Sequence, residues 1–341
     1  MREKPNISEE QLRTCLHNQY GLTVVTLDFL PLGLDYDAAV YRVVSEDGSN
    51  YLLKIKAGPL YEPGCLMARY LRDQGITAVV ASLPTKSNTL WTQVGIWMVL
   101  VYPFIKGDTS WTGMTARHWK ETGSIFKQIH QVAPPTAGFE AVRKENFDPT
   151  EYARWLRDFE AQYAHTEGKN AAERIILSSW VMHRDTIHAA IVSLEKLGAA
   201  LQQQSGPYVI CHADMHASNL IRTPEGHVFV IDWDDVKLAP KERDFIFVRE
   251  QRADGPSWEK TTPFFQGYGE THIDWIALTY YLWERVAQDL IAYAESVFFE
   301  DKWEEETRLE SARIFDAILS GDDIAAIHAA ASHLPLDLAA P

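Results

Sequence analysis

One polar loop constrains the fold of this chain more than any other segment. It reads CHADMHASNL over Cys211–Leu220, follows a short β-prone run, and leads to a second such run, Val228–Ile231, that ends at Asp232. This pattern predicts a strand, a polar loop, a hairpin, and an aspartate at the end of the hairpin. Because so few residues separate these elements, we expect Asp214 and Asn219 to lie near Asp232.

These three polar residues are the types that phosphoryl transfer requires. The reaction needs a carboxylate beside the attacking hydroxyl and oxygen ligands that hold Mg²⁺ on the nucleotide phosphates. We interpret Asp214 as the catalytic residue, either the base or the group that orients the hydroxyl, Asn219 as a neutral metal ligand and Asp232 as a charged metal ligand. The five-residue step from Asp214 to Asn219 lets one loop present both side chains to the same phosphates.

The same loop admits a rival interpretation as a metal-dependent hydrolase. His212, Asp214 and His216 alternate along the chain, and with Asp232 and Asp234 they could hold two metal ions. This hypothesis predicts hydrolysis without ATP. It leaves the asparagine of the loop and the β-rich N-terminal part unexplained.

The rest of the chain predicts an α+β fold in two parts. Two β-prone runs, Val40–Val44 and Tyr51–Ile55, flank a polar turn, and an apolar strand follows at 97–104. A capped helix is predicted from Ser8 and another over Pro63–Leu71. We predict an N-terminal nucleotide-binding lobe over residues 1–104 and a mainly helical catalytic and substrate-binding lobe over 105–341. Its helices are predicted near 115–132, 148–165, 171–203, 273–297 and 302–319.

The loop motif and Ile231–Trp233 resemble the aminoglycoside phosphotransferase and choline-kinase-like superfamily, a relative of the protein kinases. The segment Leu238–Asp244 is similar to the spectinomycin phosphotransferase branch of that superfamily. The resemblance implies a bilobal protein-kinase-like fold with a small antiparallel β N-lobe and a large helical C-lobe. It also implies Mg²⁺ as cofactor, ATP as cosubstrate with GTP as the alternative, and support of the catalytic loop by His212 and Asp244.

A kinase N-lobe also needs a lysine on its third strand and an acid that positions this lysine. Lys54 and Lys56 lie in the expected strand and, because side chains alternate along a strand, point the same way. The family pattern of an apolar pair before lysine favours Lys54. Glu62 is the candidate partner, and Gly33 lies where the family covers the phosphates.

The adenine is expected against the end of the apolar strand. Pro103 has a carbonyl but no N–H, so it can accept a hydrogen bond from the adenine amino group. The backbone N–H of Ile105 can then donate to the ring. This division matches the family's carbonyl-then-amide pattern.

The charge of the chain indicates its partners. With 32 Lys+Arg against 47 Asp+Glu, the formal net charge is −15, which disfavours nucleic acid and anionic membranes as partners. Either this excess only keeps the protein soluble, or it attracts a small cationic substrate. The acids that we predict to bind such a substrate, from their position or their resemblance to the spectinomycin branch, are Asp234, Asp235, Glu270, Glu284 and Asp289.

We therefore predict an ATP-dependent phosphotransferase acting on a hydroxyl of an aminocyclitol or aminoglycoside antibiotic such as spectinomycin, a resistance-type enzyme. A metabolic kinase of choline, homoserine, a sugar or a nucleoside is the main alternative, and a nucleotide-binding pseudokinase a more distant one. Three widely spaced cysteines and an N-terminus without an apolar core predict a cytoplasmic location. No obligate protein partner is implied.

Overall fold

The computed structural model of the chain describes residues 4–31, 38–204, 206–252, 255–259, 262–300 and 303–339. Its helices are α1 (Glu9–Cys15), α2 (Glu62–Asp73), α3 (Ala116–Gln131), α4 (Thr150–Tyr163), α5 (Ala171–Met182), α6 (Arg184–Gln202), α7 (Pro263–Tyr268), α8 (Trp275–Phe298), α9 (Glu305–Ser320), α10 (Asp322–Ala331) and α11 (Leu336–Ala339). Its strands are β1 (Val24–Leu30), β2 (Ala38–Ser45), β3 (Asn50–Ala57), β4 (Thr92–Val94), β5 (Trp97–Pro103), β6 (Arg143–Lys144), β7 (Val209–Cys211), β8 (Leu220–Arg222), β9 (Val228–Val230), β10 (Lys237–Ala239), β11 (Glu250–Arg252) and β12 (Gly255–Ser257). Within these ranges, no helix combines the length and the apolar character that crossing a membrane requires.

The chain divides into two compact units. The first comprises Met1–Arg143 and Ile210–Leu238, and the second comprises Lys144–Val209 and Ala239–Pro341. The polar loop over Cys211–Leu220 therefore belongs to the same unit as the N-terminal sheet. The lobe boundary at residue 104 stays a prediction.

The first unit is built on an antiparallel sheet of five strands in the order β1-β2-β3-β5-β4. The predicted hairpin is confirmed: β2 ends at Ser45, β3 begins at Asn50, and Gly48 takes the left-handed φ of 81° that the turn between them requires. Alternation along the strands puts Leu53 and Ile55 on one buried face, where they pack with α1 residues such as Leu12. The lysines of β3 consequently lie on the other face.

Two helices of the first unit begin where the sequence predicts. The predicted capping box of α1 is present, because the Ser8 hydroxyl accepts from the backbone N–H of Gln11 and the Gln11 side chain accepts from that of Ser8. Helix α2 has Pro63 in its first turn. A side chain at Gly64 would come within 2.6 Å of the Trp233 carbonyl oxygen, so glycine permits this helix to approach the segment that follows β9.

The second unit is mainly helical. Helix α8 lies at its centre and packs against α4, α5, α6, α9 and α10. Large aromatic side chains such as Trp180, Tyr280 and Phe315 are fully buried there. The helix predicted over 171–203 is in fact two helices, because the backbone at His183 leaves the helical conformation with φ −109° and ψ 23°. The antiparallel N-terminal sheet and the mainly helical C-terminal part are both confirmed.

Candidate active site

The polar loop holds Asp214 and Asn219 side by side. Ala213, with φ 69°, turns the chain after β7, and a 3₁₀ turn over Ala217–Asn219 leads into β8. The Asn219 amide nitrogen donates to the backbone carbonyl of Asp214 at 2.9 Å and to its carboxylate at 3.3 Å. This use of Nδ2 orients the amide, so that Oδ1 is the atom of Asn219 that can bind a cation.

His212 ties the start of the loop to the end of the hairpin. Its ring is fully buried, and Nε2 donates to the Ile231 carbonyl at 2.8 Å while Nδ1 accepts from the backbone N–H of Asp214 at 3.3 Å. These two contacts define a neutral imidazole with its proton on Nε2. The geometry supports the predicted role of His212 as a residue that positions the loop rather than as a base.

Asp232 lies two residues after β9 and carries backbone strain. Its φ of 62° is in the left-handed region, which a residue with a Cβ seldom adopts, and such strain concentrates at functional sites. The backbone N–H of the preceding Ile231 donates to the Asn219 carbonyl at 3.0 Å, which holds together the segments that carry the two predicted metal ligands, just before β8 and just after β9. The Asp232 carboxylate is 41% exposed and therefore accessible.

The two lysines of β3 point at the acids that follow β9. The Lys54 ammonium lies 3.1 Å from Asp232 and 3.2 Å from Asp234, and that of Lys56 lies 3.4 Å from Asp234. Burial lowers the pKa of Lys54, but Asp232 and Asp234 outweigh burial and leave the pKa above its usual range. Burial likewise raises the pKa of Asp234, and the two lysines more than reverse this, so its pKa lies below the ordinary value. Lys54 and Asp234 are therefore charged at neutral pH.

Glu62 is not brought to the predicted lysine. It occupies the first position of α2, and within the described ranges no ion pair joins it to Lys54. Asp234 takes the place that the prediction gave to Glu62, because it contacts both lysines of β3. The two-residue spacing of Lys54 and Lys56 predicts that both side chains lie on one face of β3, where one acid can contact both. It does not identify that acid.

The end of β5 has the polarity that the sequence predicts for an adenine contact. The backbone N–H of Phe104 donates to the Asn50 carbonyl, so the even-numbered residues of β5 are the ones that exchange backbone hydrogen bonds with β3. The carbonyls of the odd-numbered residues point away from β3, and that of Val101 accepts from the backbone N–H of Leu83. The Pro103 carbonyl likewise points away from β3. Among the described residues, the N–H of Ile105 donates no hydrogen bond.

Three further predicted site residues are Gly33, Asp235 and Asp244. Gly33 lies outside the described residues. Asp235 is exposed and pairs with Arg143 at 3.3 Å in the same unit. Asp244, the predicted support, is fully buried in a 3₁₀ turn over Lys241–Phe245 of the second unit, and its role stays a prediction.

The three predicted substrate acids of the second unit have different environments. Glu284 is only 3% exposed and accepts from the Arg243 guanidinium at 2.7 Å. Asp289 pairs with Arg285, one turn away on α8, at 2.8 Å, and Glu270 is exposed after α7. The burial of Glu284 gives no support to its predicted contact with substrate.

Comparisons with known proteins agree with this geometry. The model of the phosphotransferase enzyme family matches residues 28–288. The chain belongs to this family. Its fold is similar to that of a spectinomycin phosphotransferase solved with ADP and spectinomycin, at 28% identity and a TM-score of 0.83 over 95% of this chain and 98% of the other. An AMP-bound structure of spectinomycin phosphotransferase gives 27% identity and a TM-score of 0.79 over 96% and 100% of the two chains.

A more distant structure supports the fold alone. The ethanolamine kinase of Plasmodium vivax is 14% identical, with a TM-score of 0.59 over 90% of this chain and 86% of that one. No curated protein matches the chain. The sequence resemblance to the superfamily is confirmed, and the protein is an ATP-dependent phosphotransferase that acts on a hydroxyl group.

Proposed function

We propose that this phosphotransferase transfers the γ-phosphoryl group of ATP to a hydroxyl of a cationic aminocyclitol, with spectinomycin as the first candidate. The observation that carries the proposal is the similarity to spectinomycin phosphotransferase over 95% of the chain, combined with Asp214, Asn219, Asp232 and Lys54 on neighbouring elements of one unit. The acceptor cannot be read from the loop alone, because this motif contacts the phosphates.

In this proposal each polar group of the loop has one task. Asp214 orients the acceptor hydroxyl and accepts its proton at a carboxylate oxygen. Lys54 binds the phosphates. Asn219 Oδ1 and the Asp232 carboxylate are hard oxygen donors of the kind that suit Mg²⁺, and we assign the metal to them. Bound there, Mg²⁺ would neutralise charge on the transferring phosphoryl group.

The nucleotide preference follows from the end of β5. The Pro103 carbonyl is a pure acceptor, so it suits the amino group of adenine, and the Ile105 N–H suits a ring nitrogen. Guanine would place its own carbonyl oxygen opposite that of Pro103, where two acceptors repel. We therefore propose ATP rather than GTP as the phosphoryl donor.

Acceptor charge and cellular context complete the proposal. The net charge of −15 favours a cationic acceptor, because amines of aminocyclitols are protonated at neutral pH. Cys15, Cys65 and Cys211 are all buried and form no disulfide, which agrees with a reducing compartment. We propose that the enzyme acts in the cytoplasm and that its phosphorylation of the antibiotic gives resistance.

The test is Mg-ATP turnover in a coupled ADP-release assay. The acceptor panel holds spectinomycin, kanamycin, choline, homoserine and glucose. Asp214→Asn is the inactive variant and should lose at least about a thousandfold in kcat. Asp73→Asn, an exposed aspartate paired with Arg69 on α2, is the matched control and should keep full activity.

Each outcome of the panel has a distinct meaning. Turnover of spectinomycin that Asp214→Asn abolishes supports the proposal. Turnover of choline or homoserine alone would replace the antibiotic with a metabolite and retain the assignment of the loop. Release of ADP that persists in Asp214→Asn would overturn the role of Asp214.

A further inference from the structure

An exposed tryptophan lies beside the catalytic loop. Trp111 is 56% exposed, and its ring lies on that of His216 with 4.7 Å between the ring centroids and 31° between the planes. His216 Nε2 is in turn 3.2 Å from the Asp214 carboxylate. One imidazole ring thus separates an open indole face from the predicted catalytic base.

Exposure of a single aromatic ring is common and indicates nothing by itself. What distinguishes Trp111 is the way its segment is held. Arg222, which is 3% exposed, donates to the Asp108 carboxylate at 2.5 Å and to the Ser110 carbonyl at 2.7 Å. The same guanidinium donates to the Ala217 carbonyl in the catalytic loop at 3.2 Å. A buried cation therefore joins the tryptophan segment to the loop that carries the site.

The backbone strengthens this attachment. Asp108 and Arg222 exchange two backbone hydrogen bonds of 2.9 Å each. Glycine is required on both sides of Trp111: a Cβ at Gly107 would lie 2.6 Å from the Arg222 carbonyl, and one at Gly113 would lie 2.6 Å from the Arg222 guanidinium. The segment is thus closely fitted to the β8 strand, which fixes the position of the indole relative to Asp214.

Four aromatic residues that lie close in sequence to the predicted substrate acids are buried. Trp233, Tyr268, Tyr281 and Trp283 are all at most 5% exposed. They fill the interiors of their units and present no ring face to a ligand. Trp111, by contrast, combines an exposed ring with a position beside His216 and the catalytic loop.

We propose that Trp111 is a specificity-determining platform for the acceptor. A saturated ring lays its C–H face on the indole and directs a hydroxyl towards Asp214, and an ammonium group on that ring gains a cation–π contact, for which indole is the best side chain. The acceptor class is accordingly a cyclic polyol that carries an amine. This inference rests on the proposed function and adds to it a residue that contacts the ring of the acceptor.

The experiment compares wild type with Trp111→Ala, Trp111→Phe and a control, Ile96→Ala. Ile96 is 69% exposed at the turn between β4 and β5 of the same unit, and its truncation should change nothing. Spectinomycin and choline are the probes. Initial rates give KM and kcat, and calorimetry with ADP present gives the Kd of spectinomycin directly.

We expect Trp111→Ala to raise both KM and Kd for spectinomycin about tenfold, with a smaller change in kcat. Trp111→Phe keeps an aromatic face and should stay within about threefold of wild type. Thermal unfolding of Trp111→Ala should match wild type, which shows that a loss of affinity is not a loss of fold.

The contrary results separate this inference from the proposed function. Equal spectinomycin affinity in wild type and Trp111→Ala overturns the platform while phosphoryl transfer to spectinomycin stands. An equal rise in the KM values for spectinomycin and for Mg-ATP overturns it as well, because a platform acts on the acceptor alone. If wild type phosphorylates choline but neither binds nor phosphorylates spectinomycin, the platform and the aminocyclitol assignment both fail, and the catalytic loop keeps its role.

Discussion

Replacement of Glu284 by alanine distinguishes a structural acid from a substrate-binding one. Glu284 and Arg243 are 3% and 5% exposed and lie 2.7 Å apart in the second unit. Burial lowers the pKa of Arg243, but Glu284 outweighs burial and raises the pKa above its usual range, so the guanidinium is charged. Truncation of Glu284 leaves that charge buried without its carboxylate.

The expected cost follows from this burial. Removal of one partner of a buried ion pair typically costs about 3–5 kcal/mol, because the remaining charge keeps its desolvation penalty. For a protein of this size that corresponds to a fall in Tm of about 4–7 °C. Replacement of both partners by apolar residues, in Glu284→Leu/Arg243→Met, should recover much of the loss, because no buried charge remains.

Asp289→Ala is the matched control on the same helix. Asp289 pairs with Arg285 in a partly exposed i,i+4 contact at 2.8 Å, and such pairs contribute about 0.5 kcal/mol or less. Its Tm should therefore move by about 1 °C. The assays are scanning calorimetry and urea unfolding, followed by acceptor KM on the folded variants. A Glu284→Ala protein with the Tm of wild type and a raised KM for a cationic acceptor would refute the structural assignment.

Three further predictions concern the first unit. Asp234→Asn should raise the KM for Mg-ATP about tenfold in initial-rate measurements and leave the acceptor KM unchanged, because the lysines of β3 lose a part-buried anionic partner. A rise in the acceptor KM alone would instead support the predicted contact of Asp234 with substrate. Hydrogen bonds from Arg222 and Ser110 lower the pKa of Asp108 to about 2, below the unfolded value of about 3.9. The stabilisation is therefore fully present above about pH 4 and lost as the pH falls through 2, and urea unfolding should show Asp108→Asn converging on wild type over that window. Gly113→Ala should lower the unfolding free energy by about 1–3 kcal/mol, since its Cβ would meet the Asp108 carboxylate at 2.4 Å, whereas Gly206→Ala, with no atom within 4 Å, should unfold like wild type.

The parts of the site that could be predicted from the sequence depend on local geometry. Asp214 and Asn219 lie in one loop, and Asp232 ends the hairpin that follows it, so short-range turn and strand patterns were sufficient to bring them together. The same reasoning placed Lys54 and Lys56 on one face of β3. No knowledge of tertiary packing was needed for either prediction.

The ion-pair partner of Lys54 could not be predicted from such local patterns. Which acid meets Lys54 depends on where α2 and the segment after β9 lie in space, and propensity patterns do not report this. The break at His183 also lacks a signal, because neither glycine nor proline is present near it. The burial of Glu284, by contrast, was readable: it follows Tyr280 and Tyr281 by four and three residues and so falls on the apolar stripe of α8.

The charges around Lys54 explain how one set of side chains can serve both the nucleotide-free and the nucleotide-bound protein. Lys54 and Lys56 carry two positive charges, and Asp232 and Asp234 carry two negative ones, so the cluster is neutral as it stands. In the proposed function, phosphates bound to Lys54 would replace the Asp232 carboxylate as its partner, and Asp232 would then be available to hold the metal. Asp234 would keep its contacts with both lysines and hold them in position. This exchange would replace the ion pair between Lys54 and Asp232 by one between Lys54 and phosphate. No part-buried charge would then lose its partner, and the cost of an unpaired buried charge would be avoided.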